Sequence, residues 1–384
     1  MLEQAYGHTS HALSLPPKWL NQYGDFIIKN SSAVSQIESA LRSLTYIIPG
    51  RFRDAEIASE TVHSSVQLLS LYHDSLLARA IARFPGAKPH ASPHTRYTRF
   101  WTQKSPTYRR LALILQMIQH TQLLWEMVAK RRGDQTRWRV VVMLEMVKAL
   151  CRLLLLRLTN SRPLLSPPLP EREDPSSSEE PASAPPTSEE EDLVFGEKSN
   201  SSSDDARWTM PRTGLSLPTL PQSSDISSYL LSKVMTADDV KPPKALLHRV
   251  TGKGELAEML YIIRPVLYAL AMQHWRGDRR SWRPWLMGVS VEYGARQLAK
   301  KDFQERVTGG LRGLTGLERE ELKKRGWALG WWTMRGAFYE NITKAWIHAV
   351  TTKLKNKPLL DLLGGVVEDY EFLWDEYYFS TATL

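Results

Sequence analysis

Few residue patterns in this chain could do chemistry. His90 and His94 stand four apart, the helical spacing of two metal ligands, but Pro93 lies between them and no helix would align them. Gly310, Gly313 and Gly316 are spaced like a phosphate-binding turn, yet no strand precedes them, so a dinucleotide site is a poor reading. There is no G-x-x-x-x-G-K-[ST] loop and no G-x-S-x-G elbow. The single cysteine, Cys151, sits in an apolar run. It rules out an internal disulfide framework and most zinc sites, and reads as a small buried or lipid-facing residue. The sequons at Asn30, Asn200 and Asn341 matter only in a secreted chain. The chain is therefore read as a non-enzyme, with no catalytic residues, no cofactor and no metal.

What the sequence offers instead is arginine beside tryptophan. Leu256, Leu260, Ile263, Leu267 and Leu270 recur at helical spacing, with Arg264 and Pro265 inside the helix. Proline removes a backbone donor, so a kink near Ile262 is expected. A basic turn follows, then Ser281-Trp282-Arg283-Pro284-Trp285-Leu286. Side chains with an apolar body and a polar tip suit a membrane–water boundary, and equally suit a Trp-rich core corner beside a solvated loop.

These segments sit in a helical chain of 384 residues with a formal charge of +9 and a pI near 9.4. Pro16-Pro17 opens a helical region in which Ile37, Leu41, Leu44 and Ile48 share a face, Ser35 and Glu38 form a capping-box pattern, and Pro49-Gly50 ends the helix. Ile57, Val62, Val66, Leu69 and Leu76 mark a second helix. Residues 84–107, rich in proline, histidine and basic residues, read as a loop. Two strongly apolar helices follow, over about 108–130 (Leu111, Leu115, Ile118 and Trp125 on one stripe) and about 138–159. The second carries Glu145, Lys148 and Arg152 within about 60° of one another, on an otherwise apolar circumference. Further on, the mixed-charge run from Leu317 to Arg325 reads as a solvated face, and Gly326 and Gly330 as a chance G-x-x-x-G match. An aromatic tail holds Tyr370, Phe372, Trp374, Tyr377, Tyr378 and Phe379. No strand-period segment of useful length occurs.

Magnitudes limit the second apolar helix. Its 11 Val and Leu residues favour insertion by roughly 3–7 kcal/mol, while central Lys148 and Arg152 cost about 5–7 kcal/mol. No uncharged apolar run reaches the roughly 18 residues of a spanning helix. The helix can lie in the interface with its charged stripe in water, pack that stripe against protein in a membrane bundle, or be an ordinary buried helix. Trp125, Trp138, Leu153, Leu154, Leu155 and Leu156 are the membrane-contact candidates.

The expected fold is all-α: a membrane-associated helical bundle with two helical regions separated by a disordered acidic linker. The divisions are a flexible N-terminus at 1–16, an N-terminal helical region at 17–160, a Pro/Ser/acidic linker at 161–244, and a Trp-rich helical region at 245–384. Within the linker, residues 171–192 hold nine acids and one arginine, a net −8, which leaves about +17 on the rest of the chain. Low hydrophobicity with dense charge cannot offset ordering entropy. The basic remainder suits anionic partners such as phospholipid headgroups. Charge also allows nucleic acid, but no recognised module is present and no nucleic-acid partner is expected. The N-terminus lacks a secretory signal, and Ala382-Thr383-Leu384 is not a peroxisomal matrix address.

Three blocks resemble the peroxin-sixteen family of peroxisomal membrane-assembly proteins. The first is Leu44 to Phe52, with Gly50, Arg51 and Phe52 at its end, followed by Ser59-Glu60. The second is Tyr261-Ile262-Ile263-Arg264-Pro265 with Arg280-Ser281-Trp282-Arg283-Pro284-Trp285-Leu286. The third runs from Leu317 through Phe338-Tyr339 to the aromatic C-terminus. The resemblance implies a non-enzymatic role in peroxisome biogenesis: a membrane scaffold or docking protein supporting membrane assembly and membrane-protein insertion. It implies residence in the peroxisomal membrane, reached via the endoplasmic reticulum, with main exposure to the cytosol. The implied partners are membrane lipids and other peroxins, of the peroxin-three and peroxin-nineteen type. Members differ in topology from integral to peripheral, and in at least one yeast the role is restraint of division. Gly50, Arg51, Phe52, Arg264, Pro265, Ser281, Trp282, Arg283, Pro284, Trp285, Phe338 and Tyr339 are the docking or structural positions that the motifs single out. A soluble all-helical adaptor with core tryptophans is the competing reading.

Overall fold

The computed structural model describes residues 18–51, 56–83, 92–172, 241–278, 280–306, 310 and 313–354, with 365, 367 and 371 beyond them. The N-terminus, the acidic segment 173–240, Phe52 and the aromatic positions of the tail lie outside the described residues. Ten helices of useful length follow in chain order: α1 (Lys18–Lys29), α2 (Ser31–Arg51), α3 (Glu56–Arg83), α4 (Pro93–Lys104), α5 (Pro106–Arg131), α6 (Asp134–Leu158), α7 (Lys253–His274), α8 (Trp282–Arg306), α9 (Gly316–Gly330) and α10 (Lys344–Leu354). Short pieces complete them: Pro243–Leu246 before α7, and Trp331–Met334, Gly336–Phe338 and Tyr339–Thr343 before α10. No strand occurs among the described residues, so the all-α expectation holds.

The helices pack as a row. α1 and α2 lie on α3, α3 on α5, α5 on α6, α6 on α7, and α7 on α8. A cluster at one end joins Tyr97 and Trp101 of α4, Tyr108, Ala112 and Leu115 of α5, Cys151 and Leu155 of α6, and Leu165, Leu246, Leu247 and Leu317. Ala149 and Leu156 of α6 pack on Ile262 of α7, and Trp138, Val141 and Val142 on Ala269.

Residues 84–107 are not simply a loop. Ser92 caps α4 by accepting from the Thr95 N–H, and Pro93 takes the first helical position, where its missing donor costs nothing. Ser105 and Pro106 repeat the device for α5. Nor does the linker begin at 161. Leu164, Leu165 and Leu169 pack into the core, the Tyr108 hydroxyl donates to the Pro168 carbonyl at 3.1 Å, and Arg172 pairs with Glu38 at 3.0 Å and with Asp74. On the far side, Arg96 of α4 donates to the Lys241 carbonyl, and the Val250 N–H to the Ser161 carbonyl. Arg172 and Lys241, the described residues on either side of 173–240, are thus both tied to the bundle. Proline-dense composition hid leucines that earn their place by burial.

α2 starts at Ser31 and runs on to Arg51, so Ser35 is interior rather than a cap and Pro49-Gly50 does not stop the helix. Its apolar stripe faces outward: Ile37, Leu41 and Leu44 are exposed, while Ser31, Glu38 and Thr45 are buried. α7 runs unbroken through Pro265. There too the predicted stripe is the outer one, with Leu256 and Leu270 exposed and Ala257, Glu258, Ile262, Arg264 and Tyr268 buried.

Candidate functional site: paired charges beneath an aromatic clasp

The charged stripe of α6 points into the bundle. Lys148 pairs with Glu145 at 2.6 Å and donates to Gln122 of α5 at 2.7 Å, with both ions almost wholly buried. One turn from the N-terminus of α6, Arg137 grips Glu126 of α5 through two nitrogens at 2.8 and 2.6 Å. Two buried ions cost several kcal/mol each to desolvate, and only close pairing offsets that. Of the three arrangements open to α6, the bundle packs the stripe against protein.

The same logic continues through α7 and α8. Arg264 (2% exposed) meets Glu292 of α8 (0% exposed) at 2.7 Å. Arg296, one turn on, reaches the other carboxylate oxygen at 3.0 Å, and the Trp332 indole N–H donates to Glu292 as well. Arg325 of α9 forms a fork on Glu258 of α7 at 2.6 and 3.1 Å. Between these pairs lies Tyr261, with the Arg264 and Arg325 guanidinium carbons each 4.4 Å from its ring centre. The mixed-charge start of α9 is therefore solvated on one side only: Arg319, Glu320, Lys323 and Lys324 are exposed. Leu317, Glu318 and Glu321 are buried, and Glu318 closes a capping box with Thr315 while accepting from the His248 N–H. Burial pushes the Glu321 carboxyl above its usual range, against the charge of Arg325.

Above the network sits an aromatic clasp built from the Ser-Trp-Arg-Pro-Trp motif. Trp285 stacks on Phe338 at 5.5 Å and donates its indole N–H to the Trp332 carbonyl at 2.8 Å. Trp282 meets Trp285 and Phe338 edge-on at 5.4 and 6.1 Å. Trp332 in turn lies edge-on to Tyr268 at 5.2 Å. Pro284 and Tyr339 are buried, Ser281 precedes the helix, and Arg283 is exposed. Gly288, one turn along α8, leaves the room that the Trp332 ring fills; a methyl there would collide with it. Gly326 and Gly330 have nothing near them, so the G-x-x-x-G spacing carries no contact.

The structure thus gathers Arg264, Pro265, Trp282, Pro284, Trp285, Phe338 and Tyr339 into one region. Gly50 and Arg51 close α2 in the separate N-terminal layer. The membrane-contact candidates divide. Trp125 and Leu154 are exposed, Leu153 is half-buried, and Trp138, Leu155 and Leu156 are core. A run of four leucines must circle its helix, so half of it faces α5 and α7. Glu292, the node of the network, was missed. Its signal was the Gly288, Glu292, Arg296 spacing on one face of α8. Among the described residues no group of three metal-binding side chains occurs, and no helix is long and apolar enough to cross a membrane.

The fold and its inward-turned charges define an all-α bundle with a paired-charge core. The family model described as peroxisomal membrane protein (Pex16) matches residues 21–376. The chain belongs to that family. It is 24% identical over 380 residues to the "Peroxisomal membrane protein PEX16" of Schizosaccharomyces pombe, covering 95% of this chain and 99% of the relative. It is 22% identical over 384 residues to the "Peroxisome biogenesis protein 16" of Arabidopsis thaliana, covering 92% and 99%. The "Peroxisome biogenesis factor 16" of Dictyostelium discoideum shares 26% over 129 residues, 33% of this chain and 30% of the relative. No solved structure matches. This is a family of peroxisomal membrane biogenesis factors rather than a known enzyme family, and membership supports a role in peroxisome biogenesis.

Proposed function

We propose that this protein is a membrane-seated docking scaffold for peroxisomal membrane assembly, held in the bilayer by the outer face of the α5–α6 hairpin. One observation carries the reading: the polarity of the hairpin is reversed. Glu145, Lys148, Glu126 and Arg137 face inward, while Met143 (67% exposed), Met146, Leu150 and Leu154 form a continuous outward stripe on α6. Ile114, Met117, Trp125 and Val128 form another on α5. Exposed arginines bound both helices: Arg110 and Arg131 on α5, Arg139 and Arg157 on α6. At 1.5 Å per residue these intervals are about 31 and 27 Å, close to a hydrocarbon core of about 30 Å. The bundle presents apolar surface that neither helix has in its sequence average.

On this reading the aromatic clasp and the basic surface are left to hold partners, peroxins of the peroxin-three and peroxin-nineteen type, during insertion of membrane proteins. The cytosol is the side from which they come, and the endoplasmic reticulum a route to the organelle. The buried Trp101, Trp138 and Trp332 favour one element of the soluble-adaptor alternative, tryptophan as core. Localisation of a tagged copy with carbonate extraction tests the proposal. Peroxisomal signal that stays with the membrane pellet is expected, and a diffuse cytosolic signal would overturn it.

A further inference from the structure

Among the described residues the charge network pairs most of its cations but not Arg152. Lys148 has Glu145, Arg264 and Arg296 share Glu292, and Arg325 has Glu258 with Glu321 at 3.5 Å. With Arg152 and the buried Arg335, six cations on this side of the bundle face four carboxylates, Glu145, Glu258, Glu292 and Glu321. Among the described residues Arg152 has no hydrogen-bond partner and no ion pair, although it lies on the buried stripe one turn beyond Lys148. Glu145 is two turns away, about 10 Å along the axis, with one oxygen taken by Lys148.

The surroundings of Arg152 are unusual for a lone cation. Ala149 and Leu156 flank it on α6 and pack against Ile262, which sets Arg152 at the level of Tyr261. Its electrostatic neighbours are Glu145, Tyr261, Arg264 and Arg325, so two of the four repel it. Arg152 and Tyr261 are both half-buried rather than sealed, and the Tyr261 hydroxyl, like Arg152, has no hydrogen-bond partner among the described residues. The two faces of the Tyr261 ring are covered by Arg264 and Arg325, which leaves its hydroxyl edge as the reachable part. A guanidinium presents five donors in a planar fork that matches phosphate, and two further arginines near this one add to the positive field.

We infer that Arg152, with the Tyr261 hydroxyl beside it and Arg264 and Arg325 behind, binds a phosphate group at the seam of α6 and α7. The phosphate comes from a lipid headgroup or from a free anion. The lipid source rests on the membrane reading above; the site itself does not.

The test uses the full chain purified in detergent, titrated with inorganic phosphate, with short-chain phosphatidic acid, and with short-chain phosphatidylcholine as a control. Wild type should bind phosphatidic acid, and Arg152→Gln should weaken that binding about tenfold or more. Arg283→Gln, at an exposed arginine outside the seam, should leave it unchanged. Phosphatidic acid binding well above inorganic phosphate assigns the site to lipid; equal binding assigns it to the free anion. Thermal unfolding supplies the second readout. In phosphate-free buffer Arg152→Gln should melt no lower than wild type, because the arginine there is uncompensated. Added phosphate should raise the melting temperature of wild type only. Wild type that binds neither probe, a variant that binds as wild type does, or a variant that melts lower in phosphate-free buffer would each overturn the assignment.

Discussion

The α1–α3 layer and the α6–α9 core both bury charge, and they do so with different chemistry. In the core the partners are arginine and glutamate, enclosed by tryptophan and tyrosine. In the α1–α3 layer the node is Glu38, which His73, Arg42 and Arg172 approach, with Tyr23 on the far nitrogen of His73 at 2.6 Å. Small hydroxyls, Ser59, Ser64 and Ser70, fill the buried surface beside it. Arginine keeps its charge at any physiological pH in both regions, but only the outer layer holds a carboxyl, Glu60, that burial lifts to about 7. The core should therefore fail by mutation and the layer by pH.

The largest effect is expected at Glu292. Glu292→Ala removes the partner of Arg264, Arg296 and Trp332 together, and an uncompensated buried arginine costs about 3–5 kcal/mol. Denaturant unfolding of the purified protein measures it; a loss under about 1 kcal/mol would mean the network is not closed as described. Gly288→Ala should come next, costing about 1–3 kcal/mol by driving the Trp332 ring off Glu292 and Tyr268. Near-ultraviolet circular dichroism should change with it, and an unaltered tryptophan spectrum would contradict the packing.

In the outer layer two carboxyls move in opposite directions. Burial alone would raise Glu38, but hydrogen bonds from His73 and Ser70 and the charge of Arg172 hold it below the usual range. Its contribution is present above the ordinary carboxylate value and is lost as pH falls through the lowered one. Burial lifts Glu60 to about 7, only partly opposed by Ser64. A raised carboxyl binds more protons folded than unfolded, so stability falls as pH rises from the ordinary value of 4.5 to about 7. Glu60→Gln should then stabilise the protein by about 1–3 kcal/mol at pH 8 and not at pH 4. Melting curves at the two pH values check this, and a gain of equal size at both would remove the titration argument. The smallest effect is at Gly326 of α9, where an added methyl would meet open space. Gly326→Ala should be neutral or stabilise by up to about 1 kcal/mol from helix propensity alone, and a marked loss would reveal a contact on that face.

Much of this fold was legible in the residues. Apolar periodicity placed α5 and α6 to within a few residues, and angular spacing grouped Glu145, Lys148 and Arg152 correctly. The direction of a stripe was not legible. A 3.6-residue apolar pattern shows that one face differs from the other, not which face is inside. On α2 and α7 the usual assumption fails, because Leu41 and Leu256 look outward while Glu38 and Arg264 look in. Pairing partners were hidden for the same reason. Arg264 and Glu292 are 28 residues apart, and only the packing of α7 on α8 brings them together. Proline counting misplaced α4 and the 161–172 strap, although the Ser92-Pro93 and Ser105-Pro106 steps were helix-start signals in plain view.

The direct measurement is lipid quenching of single fluorescent labels on the α6 stripe. With Cys151 replaced by alanine, cysteines placed at Met143, Met146, Leu150 and Leu154 are labelled and the protein is reconstituted in vesicles, with Arg319 as an exposed control. Spin labels on the acyl chains should quench the four stripe positions and leave position 319 to aqueous iodide. Iodide quenching at all five positions, with no effect of acyl-chain spin labels, would contradict the claim that this protein turns its charges inward to meet the bilayer with its apolar face.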